Sequence, residues 1–172
     1  ISIASDDADL SPFTFDISGL GISHPKIQLV GNGQAIVDNN TSYSVTDYTS
    51  FDLVRYDEVA KTYNYIITNS GDNTLNISSI SLSGDPVFTL NSSSTNLSLT
   101  TGQSTDFDVA FDPDNQGDFF TEISIVSNDP DIPTFTINLK GVGIEPIITL
   151  SGNGQAIDNL DNTPELADHT DF

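Results

Sequence analysis

Four aspartates stand in two copies of one polar stretch: Asp38 and Asp47 in Val37–Ser50, and Asp161 and Asp168 in Asp158–Asp171. Oxygen-bearing side chains align between the copies at Asp38/Asn159, Asn40/Asp161 and Asp47/Asp168. Calcium takes ~6–8 oxygen ligands, and a loop of Asp, Asn, Thr and Ser carries enough of them to hold it. The same residues have a second use. Short carboxylates and amides bond backbone N–H groups two or three residues on, and so cap the turns of an irregular loop. Both readings stand at this point: a calcium site, or turn caps.

Other acidic motifs carry less. Asp112-Pro113-Asp114-Asn115-Gln116-Gly117-Asp118 begins like an EF-hand loop. The acid required at the twelfth place is absent, because Ile123 stands there and Glu122 comes one residue early. A plain hairpin turn is the better reading. Asp129-Pro130-Asp131, like its first copy Asp7-Ala8-Asp9, reads as a β-turn whose Asp side chains bond backbone N–H groups.

All five tyrosines lie between Tyr43 and Tyr65. Tyr63 and Tyr65 share strand parity with Ile67, so they belong to a core. Tyr43, Tyr48 and Tyr56 remain as candidates for an exposed ligand-binding patch. Rings there would stack on a glycan or a protein partner while carboxylates accept hydroxyl hydrogen bonds. Nucleophilic catalysis lacks raw material: there is no Cys, the two histidines are His24 and His169, and no Gly-x-Ser-x-Gly occurs. Gly31-Asn32-Gly33 is a tight turn rather than a phosphate loop, for it lacks the further Gly and the helix N-terminus. The chain is therefore expected to be no enzyme, with calcium the sole cofactor to consider.

These residues sit on a repeat. Gly-Asn-Gly-Gln-Ala-Ile occurs at Gly31–Ile36 and again at Gly152–Ile157. Gly31–Phe51 and Gly152–Phe172 share 9 identities in 21, and Ile1–Ile22 and Ile123–Ile144 share 11 in 22. A period the length of a domain predicts a tandem array of similar domains. The expected division is 1–24 as the last strands of one repeat, 25–145 as a complete repeat, and 146–172 as the start of the next. Such a chain is an excerpt of a longer protein whose neighbouring repeats are its first partners.

Lys and Arg total 4 against 25 Asp and Glu, for a net charge of −21 over 172 residues. That surface repels phosphate, which excludes nucleic acid and disfavours anionic membrane surfaces. No apolar run approaches the ~18 residues of a spanning helix, so no direct membrane insertion is expected. With no Cys, stability must come from a core or from ions.

Period-two alternation dominates. Lys61–Thr68 places Tyr63, Tyr65 and Ile67 on one face. Leu75 and Ile77 follow, then Ile80 and Leu82 on the opposite parity, as a bulge requires. Phe107, Val109 and Phe111, then Ile123 and Ile125, then Phe135, Ile137 and Leu139 continue the inward set. Turn signals at Asn69–Asn73, Ser83–Pro86, Thr101–Gln103 and Asp112–Gly117 separate the runs. Seven to nine short strands predict an all-β, antiparallel two-sheet sandwich. Val37–Ser50 lacks alternation and reads as a long ordered loop or crossover.

Several motifs together carry a family resemblance: Ile66-Ile67-Thr68-Asn69-Ser70-Gly71 with Leu75-Asn76-Ile77, Phe111-Asp112-Pro113 with Gly117, Ile123–Asp131, and Leu139-Lys140-Gly141-Val142-Gly143. The chain resembles the ASH/Hydin type of immunoglobulin-like domain, and is especially similar to the choice-of-anchor D domains of bacterial surface proteins. The resemblance implies a repeat module of a large secreted or cell-surface protein, in proteins often exported by type IX secretion. It implies a stalk or adhesin, or a carbohydrate- or protein-binding module, or a spacer beside an enzyme elsewhere in the parent. It brings no catalytic residues.

Overall fold

The computed structural model describes residues 1–19, 21, 23–158, 166 and 167. Every regular element in them is a strand: β1 (Ser2–Ile3), β2 (Phe13–Thr14), β3 (Ile27–Gly31), β4 (Gln34–Ile36), β5 (Ser50–Arg55), β6 (Lys61–Asn69), β7 (Leu75–Gly84), β8 (Phe88–Asn91), β9 (Ser98–Leu99), β10 (Ser104–Phe111), β11 (Gly117–Ser127), β12 (Thr134–Ile144), β13 (Leu150–Gly152) and β14 (Gln155–Ile157). Two five-stranded sheets, ordered β4-β3-β6-β10-β8 and β5-β12-β11-β7-β9, face each other as an immunoglobulin-like sandwich. The expected seven to nine strands become ten, because the short edge strand β4 also pairs.

Alternation builds the core directly. Side chains on a strand point to opposite faces in turn, so one parity of each run is buried. Tyr65, Ile67, Leu75, Ile77, Phe107, Val109, Phe111, Ile123, Ile125, Phe135, Ile137 and Leu139, the residues expected inside, are all buried. Ile27, Leu29, Ile36, Phe51, Val54, Val87, Phe88 and Leu99 complete the cluster. The parity switch in β7 is a bulge. Ser127 pairs with Ile77 while Val126 pairs with Ser79, leaving Ser78 as the extra residue.

One pairing departs from the antiparallel expectation. β5 runs parallel to β12, with Lys140 opposite Ser50, Val142 opposite Leu53 and Ile144 opposite Arg55. The crossover after β4 carries the chain from one sheet to the other and lays it along β12 from Asn39 to Thr49, so β5 joins that edge already running in the direction of β12. Period two reports which face a residue occupies and says nothing of strand direction.

The sandwich has two poles. Ile27 opens β3 at the first, beside the Asn69–Asn73 turn and the β11–β12 loop, where the Ile27 N–H donates to Asp129 Oδ2 at 2.8 Å. β12 leaves at the second, where the Tyr56 N–H donates to the Ile144 carbonyl at 3.2 Å.

Two hairpins outside the sandwich repeat its geometry. β1–β2 pairs Ser2 with Thr14 and Ile3 with Phe13, matching Ser124 with Thr136 and Ile125 with Phe135. β13–β14 pairs Leu150 with Ile157 and Gly152 with Gln155, matching Leu29 with Ile36 and Gly31 with Gln34. Ile3 and Phe13 are 51% and 52% exposed where Ile125 and Phe135 are 0% and 3%.

Candidate functional site

The repeated hexapeptide is a hairpin that anchors the crossover. Asn32 and Gly33 both have positive φ, 51° and 74°, the two-residue I′ turn that Asn-Gly favours. A Cβ on Gly31 would lie 2.2 Å from the Asp47 carbonyl oxygen, so this strand residue must be Gly for the crossover to lie against it. Asn32 Nδ2 then donates to the Thr46 carbonyl at 3.0 Å. In the second copy Asn153 Nδ2 donates to the Ala167 carbonyl at 3.1 Å, the same bond at the matching positions.

Within the crossover, the aspartates bond protein rather than gather. Asp38 Oδ1 accepts the Thr136 N–H at 2.7 Å and Oδ2 accepts Asn39 Nδ2 at 2.6 Å. Asp47 Oδ1 accepts both the Thr49 N–H at 3.0 Å and the Thr49 hydroxyl at 2.7 Å. That hydroxyl in turn accepts the Ser44 N–H at 2.8 Å, which leaves the fully buried Thr49 satisfied. Asp161 and Asp168 lie outside the described residues. Among the described residues no three His, Asp or Glu side chains are grouped to hold a metal. With Asp38 and Asp47 engaged by protein donors, calcium is expected to add no stability beyond that of ionic strength. Melting curves in calcium, in chelator, and in chelator with matched sodium chloride check this; a calcium midpoint above the sodium one would establish a metal site.

Asp38 begins a zipper. The Asn39 N–H donates to the Thr136 carbonyl at 2.8 Å, the Asn138 N–H to the Asn40 carbonyl at 3.2 Å, and the Lys140 N–H to the Thr49 carbonyl at 3.0 Å. The crossover thus covers the flank of β12 until β5 takes over, and β12 presents no open edge.

The three tyrosines separate. Tyr48 stacks on Tyr63 with centroids 3.8 Å apart, and its carbonyl accepts the Tyr65 hydroxyl at 2.7 Å. Tyr43 meets Phe120 instead, at 5.9 Å, and both rings are about two-fifths exposed. Lys140 Nζ lies 5.5 Å from the Phe120 ring and 2.9 Å from Asp118 Oδ2. Tyr56 is exposed beside the departing end of β12. On the sandwich, Tyr43 pairs with Phe120 as an exposed aromatic surface, and a sequence scan confined to tyrosine does not find the second ring. An apolar groove of about 360 Å³ lies between Ile36–Asp38 and Ile132 with Phe135, but it has few polar groups to orient a small ligand.

Burial pushes the Tyr65 hydroxyl well above its ordinary value, with Tyr63, Asp47 and Tyr48 adding to the shift. A folded-state pKa above the unfolded one means stability is complete below about pH 10 and falls as pH rises beyond it. The expected slope is about 1.4 kcal/mol per pH unit. Urea midpoints between pH 9 and 11 should fall more steeply for the parent than for Tyr65→Phe. Parallel profiles would mean that Tyr65 ionises while folded.

Most of the sandwich, from within the crossover to β12, matches a known domain type. The model of the HYDIN/CFA65/VesB-like Ig-like domain matches residues 44–142, more than half of the chain. The chain belongs to this family. No curated protein matches it by sequence. Solved structures with a similar fold include a Porphyromonas gingivalis protein of unknown function, at 20% identity and TM-score 0.48, covering 69% of this chain and 66% of that one. The Vibrio cholerae VesB protease aligns at 15% identity and TM-score 0.44, over 55% of this chain and 29% of that one. The ASH/PapD-like domain 7 of human CEP192 aligns at 13% identity and TM-score 0.44, over 78% of this chain and 99% of that one. The chain spans less than two thirds of the first two.

In this HYDIN/CFA65/VesB-like domain the motifs that suggested the family have structural causes. Asn69 is fully buried; its amide donates to the Asn73 and Leu99 carbonyls at 2.8 and 2.9 Å, and its Oδ1 accepts the Gly71 N–H at 3.0 Å and, at 3.3 Å, the Lys26 N–H. Gly71 is required because a Cβ there would meet the His24 carbonyl at 2.3 Å. Gly141 packs under the Phe111 ring, which a Cβ would approach to 2.5 Å.

Proposed function

We propose that the chain is a non-catalytic repeat module of a large secreted or cell-surface protein, serving as structural stalk or adhesin, with a choice-of-anchor D type of parent. The observation that carries this is the pair of outlying hairpins. Each reproduces the register of a sandwich hairpin, yet the apolar side chains that the sandwich buries are exposed at Ile3, Phe13 and Leu150 and half-buried at Ile157. Neighbouring repeats would cover those faces. The opposed poles support the reading, since a unit gripped at one end and left at the other extends an array.

Protease shaving of intact cells that make the parent protein tests the location, with an antibody to this domain as the readout. Loss of the signal from unbroken cells is expected. A signal protected until lysis would sink the surface assignment. Size-exclusion chromatography with light scattering on residues 25–145 tests the boundaries; a folded monomer is expected.

The Tyr43–Phe120 pair favours a second reading, a glycan- or protein-binding surface. Two exposed rings beside the Lys140–Asp118 ion pair offer an apolar face and charged hydrogen-bonding groups together. Binding on a glycan array that disappears in Tyr43→Ala/Phe120→Ala would establish it. No binding by the parent chain would leave the stalk reading alone.

A further inference from the structure

The geometry points to β12 as the strand that carries tension, clamped in shear between β11 and the Asp38–Tyr56 segment, so that the sandwich resists a pull applied along its two poles. The use of such a clamp rests on the stalk reading; the clamp itself is read from the sandwich.

Three observations build it. First, the chain arrives and departs at opposite poles, so tension runs along the strands. Second, β12 is held on both flanks. It pairs with β11 from Thr134 opposite Val126 to Gly143 opposite Gly117. On the other flank Asp38, Asn39, Asn40, Thr49, β5 and Tyr56 bond it in succession from Thr136 to Ile144. This flank runs parallel to β12, and the Asn40–Ile137 bridge is parallel too. Pulling β12 toward the second pole therefore slides it along both seams. Third, the arriving segment cannot peel. The Ser70 N–H donates to the Lys26 carbonyl at 2.9 Å, the Asp72 N–H to the His24 carbonyl at 3.1 Å, and Asn73 Nδ2 to the Ser23 carbonyl at 2.8 Å. β3 continues along β6 from Ile27 opposite Asn69 to Gly31 opposite Tyr65.

Direction of loading decides what those bonds are worth. Each bond contributes only modestly on its own. Opened one at a time, a row of them gives way at little force. Loaded along the strand, the row must yield together, and the barrier to forced unfolding rises accordingly.

The chain has no cysteine, so handles can be placed uniquely. Two doubly substituted full-length chains, Ser23→Cys/Glu145→Cys and Asp57→Cys/Glu145→Cys, would be stretched singly in optical tweezers or by atomic force microscopy. The first loads the sandwich from pole to pole. The second pulls both handles at the second pole and unzips β5 from β12. Rupture force in the first should exceed that in the second by about twofold or more, because the same bonds break together rather than in turn. Adding Asp38→Ala should lower the first force and leave the second unchanged, since unzipping starts at the other end of the row. Equal forces in the two geometries would overturn the clamp and leave the surface assignment to the shaving experiment. Thermal melting of each chain, with Glu58→Cys as an alternative to Asp57→Cys, separates a weak clamp from a failed fold.

Discussion

Phe111→Ala is expected to cost about 3–5 kcal/mol, a large part of the ~5–15 kcal/mol that holds a domain of this size. The ring is fully buried and lies where the sheets meet. Its centroid is 4.7 Å from Phe88, 5.7 Å from Phe51 and 5.8 Å from Phe119. Phe88 shares its sheet, while Phe51 and Phe119 belong to the other. The facing backbone is Gly141, which has no side chain to move into a vacancy. A cavity that cannot collapse carries the full penalty. Urea denaturation measures it, with the slope m unchanged and the midpoint lowered. A variant that unfolds at the parent midpoint would remove Phe111 from the core.

Asp129→Ala is expected to cost about 3 kcal/mol, from hydrogen bonds to a charged acceptor and from the buried donors left behind. Asp129 is 1% exposed. Its Oδ1 accepts the Asp131 and Ile132 N–H groups at 2.9 and 3.2 Å, and its Oδ2 accepts the Ile27 N–H, 102 residues away, at 2.8 Å. The first two bonds shape the β11–β12 loop; the third fastens the arriving chain to it. Asp129→Asn should fall between parent and alanine, because one amide oxygen can serve the loop while the NH₂ faces the Ile27 donor. Hydrogen exchange at the Ile27 amide gives an independent reading: slow in the parent, fast in both variants. Continued protection in Asp129→Ala would show that another acceptor holds that amide.

Much of the fold was legible because burial on a strand has a period of two. Tyr65 through Leu139 announced their face by their neighbours, and even the bulge at Ser78 showed as a change of parity. The family followed from motifs whose residue types are fixed by close contacts, such as Asn69 and Gly71 gripping the chain at His24–Lys26. What stayed hidden has one common cause. A carboxylate that accepts a backbone N–H leaves no mark on its partner, since every residue but proline offers that donor. Asp129 and Asp131 could be read as a turn, but not the bond to Ile27. Asp38 could be read as a loop acid, but not as the acceptor for Thr136. The direction of β5 was hidden too, because parallel and antiparallel edge strands share one alternation. Tyr48 looked free until Tyr63, fifteen residues on, proved to lie against it.

The placement of the two poles also sets how far one unit can lengthen. β12 reaches across the sandwich, and its 11 residues span roughly 37 Å at strand rise. Drawn out straight, residues 27–144 would reach about 400 Å at the limit of chain extension. Opening one sandwich would therefore release about ten times its own folded span. A string of such units would answer a sudden pull with slack, one unit at a time, while the rest keep their shape.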